Sequence, residues 1–120
     1  MPSLETVENF VRLVEESRTV EAMVRFYAEQ ASMQENAAAP RVGKATLIAH
    51  EEQALASISQ LKATCIRPLF ISGDFVVLRW VFEIDDKTGK RVRFEELAYQ
   101  RWEGEFIMQE QFFYDPAQLK

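Results

Sequence analysis

The chain has 120 residues, enough to bury one core but not two, so a single domain over residues 1–120 is expected. Hydrophobic residues make up 48% and charged residues 28%, as in an ordinary soluble globular protein. Fourteen basic residues against nineteen acidic give a net charge of −5, which argues against nucleic acid as a partner, since a phosphate backbone needs a basic footprint.

Residues 4–16 carry apolar side chains at Leu4, Val7, Phe10, Val11 and Val14, the spacing of a helix face. Ser3 stands where an N-cap would. Thr19 can cap a second helix that sets Ala22, Met23, Phe26 and Tyr27 on one face. Residues 31–35 read as a short strand, and residues 36–43 as a loop punctuated by Pro40 and Gly43. A third helix is expected over 44–58, with Leu47, Ile48, Ala54, Leu55 and Ile58 on its apolar face, Glu51 near the middle of that face and His50 on its flank.

The period then changes from 3.6 to 2. Extended runs over 61–71, 75–85, 91–102 and 105–114 are separated by turn signals at Ser72-Gly73-Asp74, Asp86-Lys87-Thr88-Gly89 and Glu103-Gly104. Helices first and an antiparallel meander afterwards define an α+β fold rather than a parallel α/β sheet.

Strict alternation assigns faces to the strands. In the second long strand Val76, Leu78, Trp80, Phe82 and Ile84 form a wholly apolar row that should face the helices. The third is ambiguous, with Phe94, Glu96, Ala98 and Gln100 opposed to Glu95, Leu97, Tyr99 and Arg101. In the last strand, Ile107, Gln109, Gln111 and Phe113 are read as facing inward. That leaves Phe106, Met108, Glu110, Phe112 and Tyr114 outside, a row apolar apart from Glu110. An apolar outer face predicts a second copy of the chain as its cover, a homodimer through Met108, Phe112 and Tyr114 with Val77 and Val81.

The single cysteine, Cys65, excludes an intrachain disulfide and reads as a small buried hydrophobe. One histidine, one cysteine and no paired-ligand spacing predict no metal site. No phosphate loop, dinucleotide fingerprint or serine-nucleophile motif is present, so no cofactor is expected. No apolar run approaches the roughly 20 residues that span a bilayer, and residues 1–15 do not resemble a secretory leader; no membrane partner and a cytoplasmic location are expected.

The order of elements resembles a known family. The stretch Phe26-Tyr27-Ala28-Glu29-Gln30-Ala31, then Met33-Gln34-Glu35-Asn36 and Pro40-Arg41-Val42-Gly43, is similar to the second-helix, short-strand and loop segment of nuclear-transport-factor-2-like proteins. The end, Trp102-Glu103-Gly104-Glu105-Phe106-Ile107 through Phe112-Phe113-Tyr114-Asp115-Pro116, resembles the closing strands of the SnoaL-like polyketide-cyclase group. The resemblance implies a cone with helices in front of a curved sheet and a pocket between them. The superfamily contains isomerases, epoxide hydrolases, cyclases, dehydratases and non-catalytic binders, so fold alone does not assign a reaction.

Residue by residue, the resemblance places Glu35 where the ketosteroid isomerases keep their proton-shuttling acid. It places Val11 and Ala98 at the positions of their oxyanion donors, and neither can donate a hydrogen bond. It sets Trp80, Phe82 and Gln111 where the epoxide hydrolases hold their catalytic triad. Tyr27 matches a pocket tyrosine, and Phe94, Glu96 and Ala98 are implied to face inward.

The candidate acid/base residues are therefore Glu35 and Glu96, since carboxyl groups placed together in an apolar cup lose hydration and repel one another. The candidate ligand-binding residues are Tyr27, His50, Glu51, Trp80, Phe82, Phe94, Gln109, Gln111 and Phe113, for a small, largely apolar molecule. Competing roles are structural: Glu35 could brace the 36–43 loop, Glu96 could pair with Arg93 or Arg101, and Glu51 could pair with Lys44 or Arg41.

Overall fold

The computed structural model describes residues 1–120. Helix α1 (Leu4–Glu15) is capped by the Ser3 hydroxyl, which accepts from the Thr6 amide at 3.1 Å. It buries Val7, Phe10, Val11, Leu13 and Val14, the apolar stripe legible in the sequence. Helix α2 (Thr19–Phe26) begins after Arg18 without a side-chain cap, and it stops one residue before Tyr27. The chain straightens there, so Tyr27 opens strand β1 (Tyr27–Glu35), which is longer than the 31–35 segment expected.

A turn follows in which Asn36 holds φ 49, a left-handed conformation that asparagine tolerates. Its side-chain oxygen accepts from the Tyr114 amide at 3.0 Å, tying the turn to the end of the sheet. Strand β2 (Arg41–Val42) leads through Gly43, at φ 103, into helix α3 (Lys44–Ala56). Only Leu47 of this helix is buried. The Lys44 ammonium donates to the Val24 carbonyl at 2.6 Å, which satisfies an open carbonyl near the end of α2 and ties α3 to it.

The remainder is the expected meander of β3 (Ile58–Ser72), β4 (Phe75–Asp86), β5 (Arg91–Glu103) and β6 (Phe106–Phe113), closed by a short 3-10 turn, Pro116–Leu119. The sheet order is β2-β1-β6-β5-β4-β3. The four long strands pair antiparallel, whereas β1 lies parallel to β6, so the sheet is mixed rather than wholly antiparallel.

Pairing fixes the faces. Trp80 lies opposite Cys65 and Glu96, Phe82 opposite Ala63 and Phe94, and Leu78 opposite Ala98; all of these share the helix-facing side. The third strand, ambiguous from composition, thus turns Phe94, Glu96, Ala98 and Gln100 inward.

The last strand departs from the expectation. Arg101 pairs with Gln109 but the next residue, Trp102, pairs with Ile107, so Met108 is an extra residue in a bulge. Ile107 points inward and is fully buried. Beyond the bulge the parity reverses: Gln100 faces Glu110 and Ala98 faces Phe112. Glu110 and Phe112 therefore belong to the inner face, and Gln109, Gln111 and Phe113 to the outer one.

The core packs the α1 and α2 aromatics against the sheet. Phe10 meets Phe26 and Trp102 edge-on at centroid distances of 5.7 and 6.2 Å. No helix is long and apolar enough to cross a membrane.

Candidate functional site

Between the helices and the inner face of the sheet lies a cavity of about 340 Å³. Its apolar wall is built by β4 and β5, where Trp80, Phe82 and Phe94 stack in series at centroid distances of 5.7 and 5.3 Å. Met23 from α2, Met33 from β1, Leu55 from α3 and Phe112 from β6 complete much of the lining. Set into this surface are the carboxyl groups of Glu35, Glu51, Glu96 and Glu110, with Tyr27 and His50 beside them.

Glu96 makes no hydrogen bond and no ion pair; Arg93 turns to Glu95 instead, and Arg101 to Glu103. Burial pushes its carboxyl up to about 8, with further contributions from the charges of Glu110, Glu35 and Glu51. Glu51 is likewise without a partner, because Lys44 is spent on Val24 and Glu29 and Arg41 lies against Glu35. Burial raises its carboxyl, His50 opposes the rise, and Glu35 adds to it.

Glu35 sits at the cavity mouth. It lies 3.6 Å from Arg41 and its side chain is 42% exposed, so it both borders the pocket and braces the loop that follows.

Glu110 was placed on the outer face by alternation, and the bulge at Met108 brings it in. It is 3% exposed, the most deeply buried of the cavity's carboxyl groups. The Tyr27 hydroxyl donates to one carboxyl oxygen and the Gln100 amide to the other at 2.6 Å. The Gln100 carbonyl in turn accepts from the Trp102 indole at 3.0 Å. Three residues, Tyr27, Gln100 and Trp102, thus hold the carboxyl in one orientation. Burial raises the Glu110 carboxyl while its two hydrogen bonds oppose the rise; burial and the adjacent Glu110 raise the Tyr27 hydroxyl well above its ordinary range. One signal for Glu110 was in the sequence: a lone acid in the otherwise apolar row Phe106, Met108, Phe112 and Tyr114.

The predicted residues Tyr27, Glu35, His50, Glu51, Trp80, Phe82, Phe94 and Glu96 all line this one cavity. Gln109, Gln111 and Phe113 do not. The Gln109 side-chain oxygen accepts from the Arg101 guanidinium at 3.0 Å, the Gln111 side-chain amide donates to the Asn36 backbone carbonyl at 2.9 Å, and Phe113 is exposed. The inward residue on this part of the last strand is Glu110, not Gln111. Cys65 is packed beneath Trp80; burial drives its thiol to about 11, which leaves it unreactive near neutrality. No three histidine, cysteine or acidic side chains converge closely enough to hold a metal ion.

Three helices packed on an open, mixed six-stranded sheet give the chain an α+β, cone-like fold, and comparison with known families identifies it. The family model of the SnoaL-like domain matches residues 7–109, so the chain belongs to the SnoaL-like family. A structure from Mesorhizobium loti, named for its likeness to SnoaL-like polyketide cyclases, is 23% identical with a TM-score of 0.77 over 92% of this chain and 97% of that one. A nuclear-transport-factor-2-like protein of unknown function from Burkholderia pseudomallei is 12% identical with a TM-score of 0.83, covering 97% of this chain and 92% of the other. An epoxide hydrolase of Mycobacterium tuberculosis, described as limonene-epoxide-hydrolase-like, is 10% identical with a TM-score of 0.78 over 96% and 84%. At these identities the neighbours define the fold. A search of proteins with curated functions finds no match.

Proposed function

We propose that the cavity binds a small, largely apolar molecule and that Glu96 exchanges a proton with it, in a cofactor-free isomerisation, cyclisation, hydrolysis or dehydration. The observation that carries this reading is the carboxyl group of Glu96, unpaired inside an apolar cavity and shifted to about 8. Near neutrality such a group holds its proton in most molecules yet releases it at little cost, which a solvated glutamate near 4.3 cannot do. In its ionised form it can take a proton from the ligand, with the bonding electrons remaining on the ligand; in its acid form it can return the proton to another atom. Glu110, oriented by Tyr27 and Gln100, is the second proton carrier on the same wall. Glu35, which the family resemblance places in the shuttling position, stands at the mouth beside Arg41 and orients the entering molecule.

Native mass spectrometry of protein purified from its own cells identifies the retained molecule. Incubated with protein in D₂O, that molecule incorporates deuterium, and Glu96→Gln slows the incorporation by about 10²–10⁴. Equal rates in wild type and variant would remove Glu96 from the chemistry. The second reading, a non-catalytic binder, is favoured by the replacement of both oxyanion-donor positions by Val11 and Ala98. It predicts retention of a molecule with no exchange at all, and affinity unchanged or improved in Glu96→Gln.

A further inference from the structure

The cavity's charges are one-sided. Four carboxyl groups line it and no lysine or arginine does; the only side chain there able to carry positive charge is His50. Arg41, the nearest guanidinium, lies at the rim against Glu35. An anionic ligand would meet four acids with no fixed cation to receive it. A neutral ligand would strip water from Glu96 and Glu51 and offer no charge in exchange, so either group could then ionise only at a high cost. A cation removes that cost. The sheet wall beside Glu96 suits a cation too, because Trp80, Phe82 and Phe94 form a continuous aromatic surface there, and aromatic faces attract positive charge. The carboxyl groups are too dispersed to hold a bare metal ion, which points to a larger, organic cation.

We propose that the pocket takes a positively charged, mostly apolar amine, its ammonium held by Glu96 and Glu51 within the field of Glu110 and its hydrocarbon part against the Trp80–Phe82–Phe94 wall. This rests on the reading of the cavity as a ligand site and names the chemical class of the ligand. It also gives the cation a second role. Entry of the ammonium displaces the proton from Glu96 and leaves the carboxylate, the form that can act as a base.

The binding is therefore linked to pH. The groups facing Glu96 are Glu35 and Tyr27 from β1, His50 and Glu51 from α3, and Glu110 and Tyr114 from the end of the sheet, with Arg41 of β2 behind Glu35. None of these is a fixed cation inside the cavity, so ionisation of Glu96 falls to the ligand to stabilise. For a permanent cation, affinity rises between pH 6 and 8.5 and protons are released on binding.

Three probes of similar shape test this: benzyltrimethylammonium, its uncharged carbon isostere neopentylbenzene, and the anion phenylacetate. Binding is followed by the NMR shift of the Trp80 indole, and proton release by calorimetry of the cation in two buffers of different ionisation enthalpy. At pH 8 the cation binds roughly tenfold or more tightly than the isostere, and phenylacetate binds more weakly than either. Glu96→Gln and, separately, Glu51→Gln each weaken the cation several-fold and leave the isostere unchanged or tighter. Two variants are used so that a folding defect in one does not decide the matter. If the isostere binds as tightly as the cation, or if both variants hold the cation as well as wild type, the amine assignment is wrong while the pocket stands. If neither the cation nor the isostere moves Trp80, the pocket reading falls and the amine assignment with it.

Discussion

Replacing Glu96 by glutamine tests the physical basis of the site through folding stability alone, without knowledge of a ligand. The folded carboxyl titrates at about 8 and the unfolded one near 4.5, the first cause being burial and the next the neighbouring acids. Between those two values the folded state holds a proton that the unfolded state has released. Stability therefore falls as pH rises: the penalty is absent below about 4.5, grows through neutrality and is complete above about 8. The full gap corresponds to about 5 kcal/mol at 1.36 kcal/mol for each pKa unit; water at the cavity mouth screens part of it, leaving about 2–4 kcal/mol. Glutamine keeps the shape of the side chain and cannot ionise. Urea unfolding of both proteins, followed by circular dichroism at intervals from pH 5 to 9, measures the difference. The variant gains about 2–4 kcal/mol on wild type between pH 5 and 9. Glu51 and Glu110 titrate in both proteins, so their contribution largely cancels in that difference. Parallel stability curves would show that Glu96 is solvated and would refute the reasoning.

Tyr27→Phe removes one of the two donors to the buried Glu110 carboxyl and costs about 1–3 kcal/mol in chemical unfolding; in a Glu110→Gln background the same change costs less, and equal costs in both backgrounds would mean that the hydroxyl and the carboxyl act independently. We propose that the outer face of the sheet, where Leu97, Tyr99 and Phe113 are exposed beside Val77, is covered by a second copy of the chain. Phe112 and Tyr114, first expected in that interface, lie on the inner side instead: Phe112 lines the cavity and Tyr114 sits against Phe94 at a ring-centroid distance of 6.0 Å. Sedimentation velocity at micromolar concentration gives a dimer, and Tyr99→Glu shifts it to monomer while circular dichroism stays the same; a wild-type monomer at that concentration would rule the interface out.

The sequence by itself determined the order of elements, because helical and extended periods are local properties of a chain. The stripe of α1 and the apolar row from Val76 to Ile84 on β4 each need only their own residues to state which side is buried. That was enough to place Trp80 and Phe82 on the cavity wall. Alternation fails where two strands must agree. The extra residue at Met108 exists only relative to β5, so no count along β6 alone reveals that the parity changes after Ile107. Hence Glu110 and Phe112 were read as outward, and Gln109, Gln111 and Phe113 as inward. Glu96 was ambiguous from the composition of its own strand; the family resemblance implied that it faces inward, and its pairing with Trp80 across the ladder sets it there. The charge balance of the cavity was likewise beyond a linear reading. Arg41, Lys44, Arg93 and Arg101 were all plausible partners for its acids by proximity in sequence. Only packing showed that Lys44, Arg93 and Arg101 are engaged elsewhere, and that Arg41 serves Glu35 and leaves Glu51 and Glu96 unpaired. Burial and electrostatic pairing depend on distances between segments far apart in the chain, and the fold alone sets those distances.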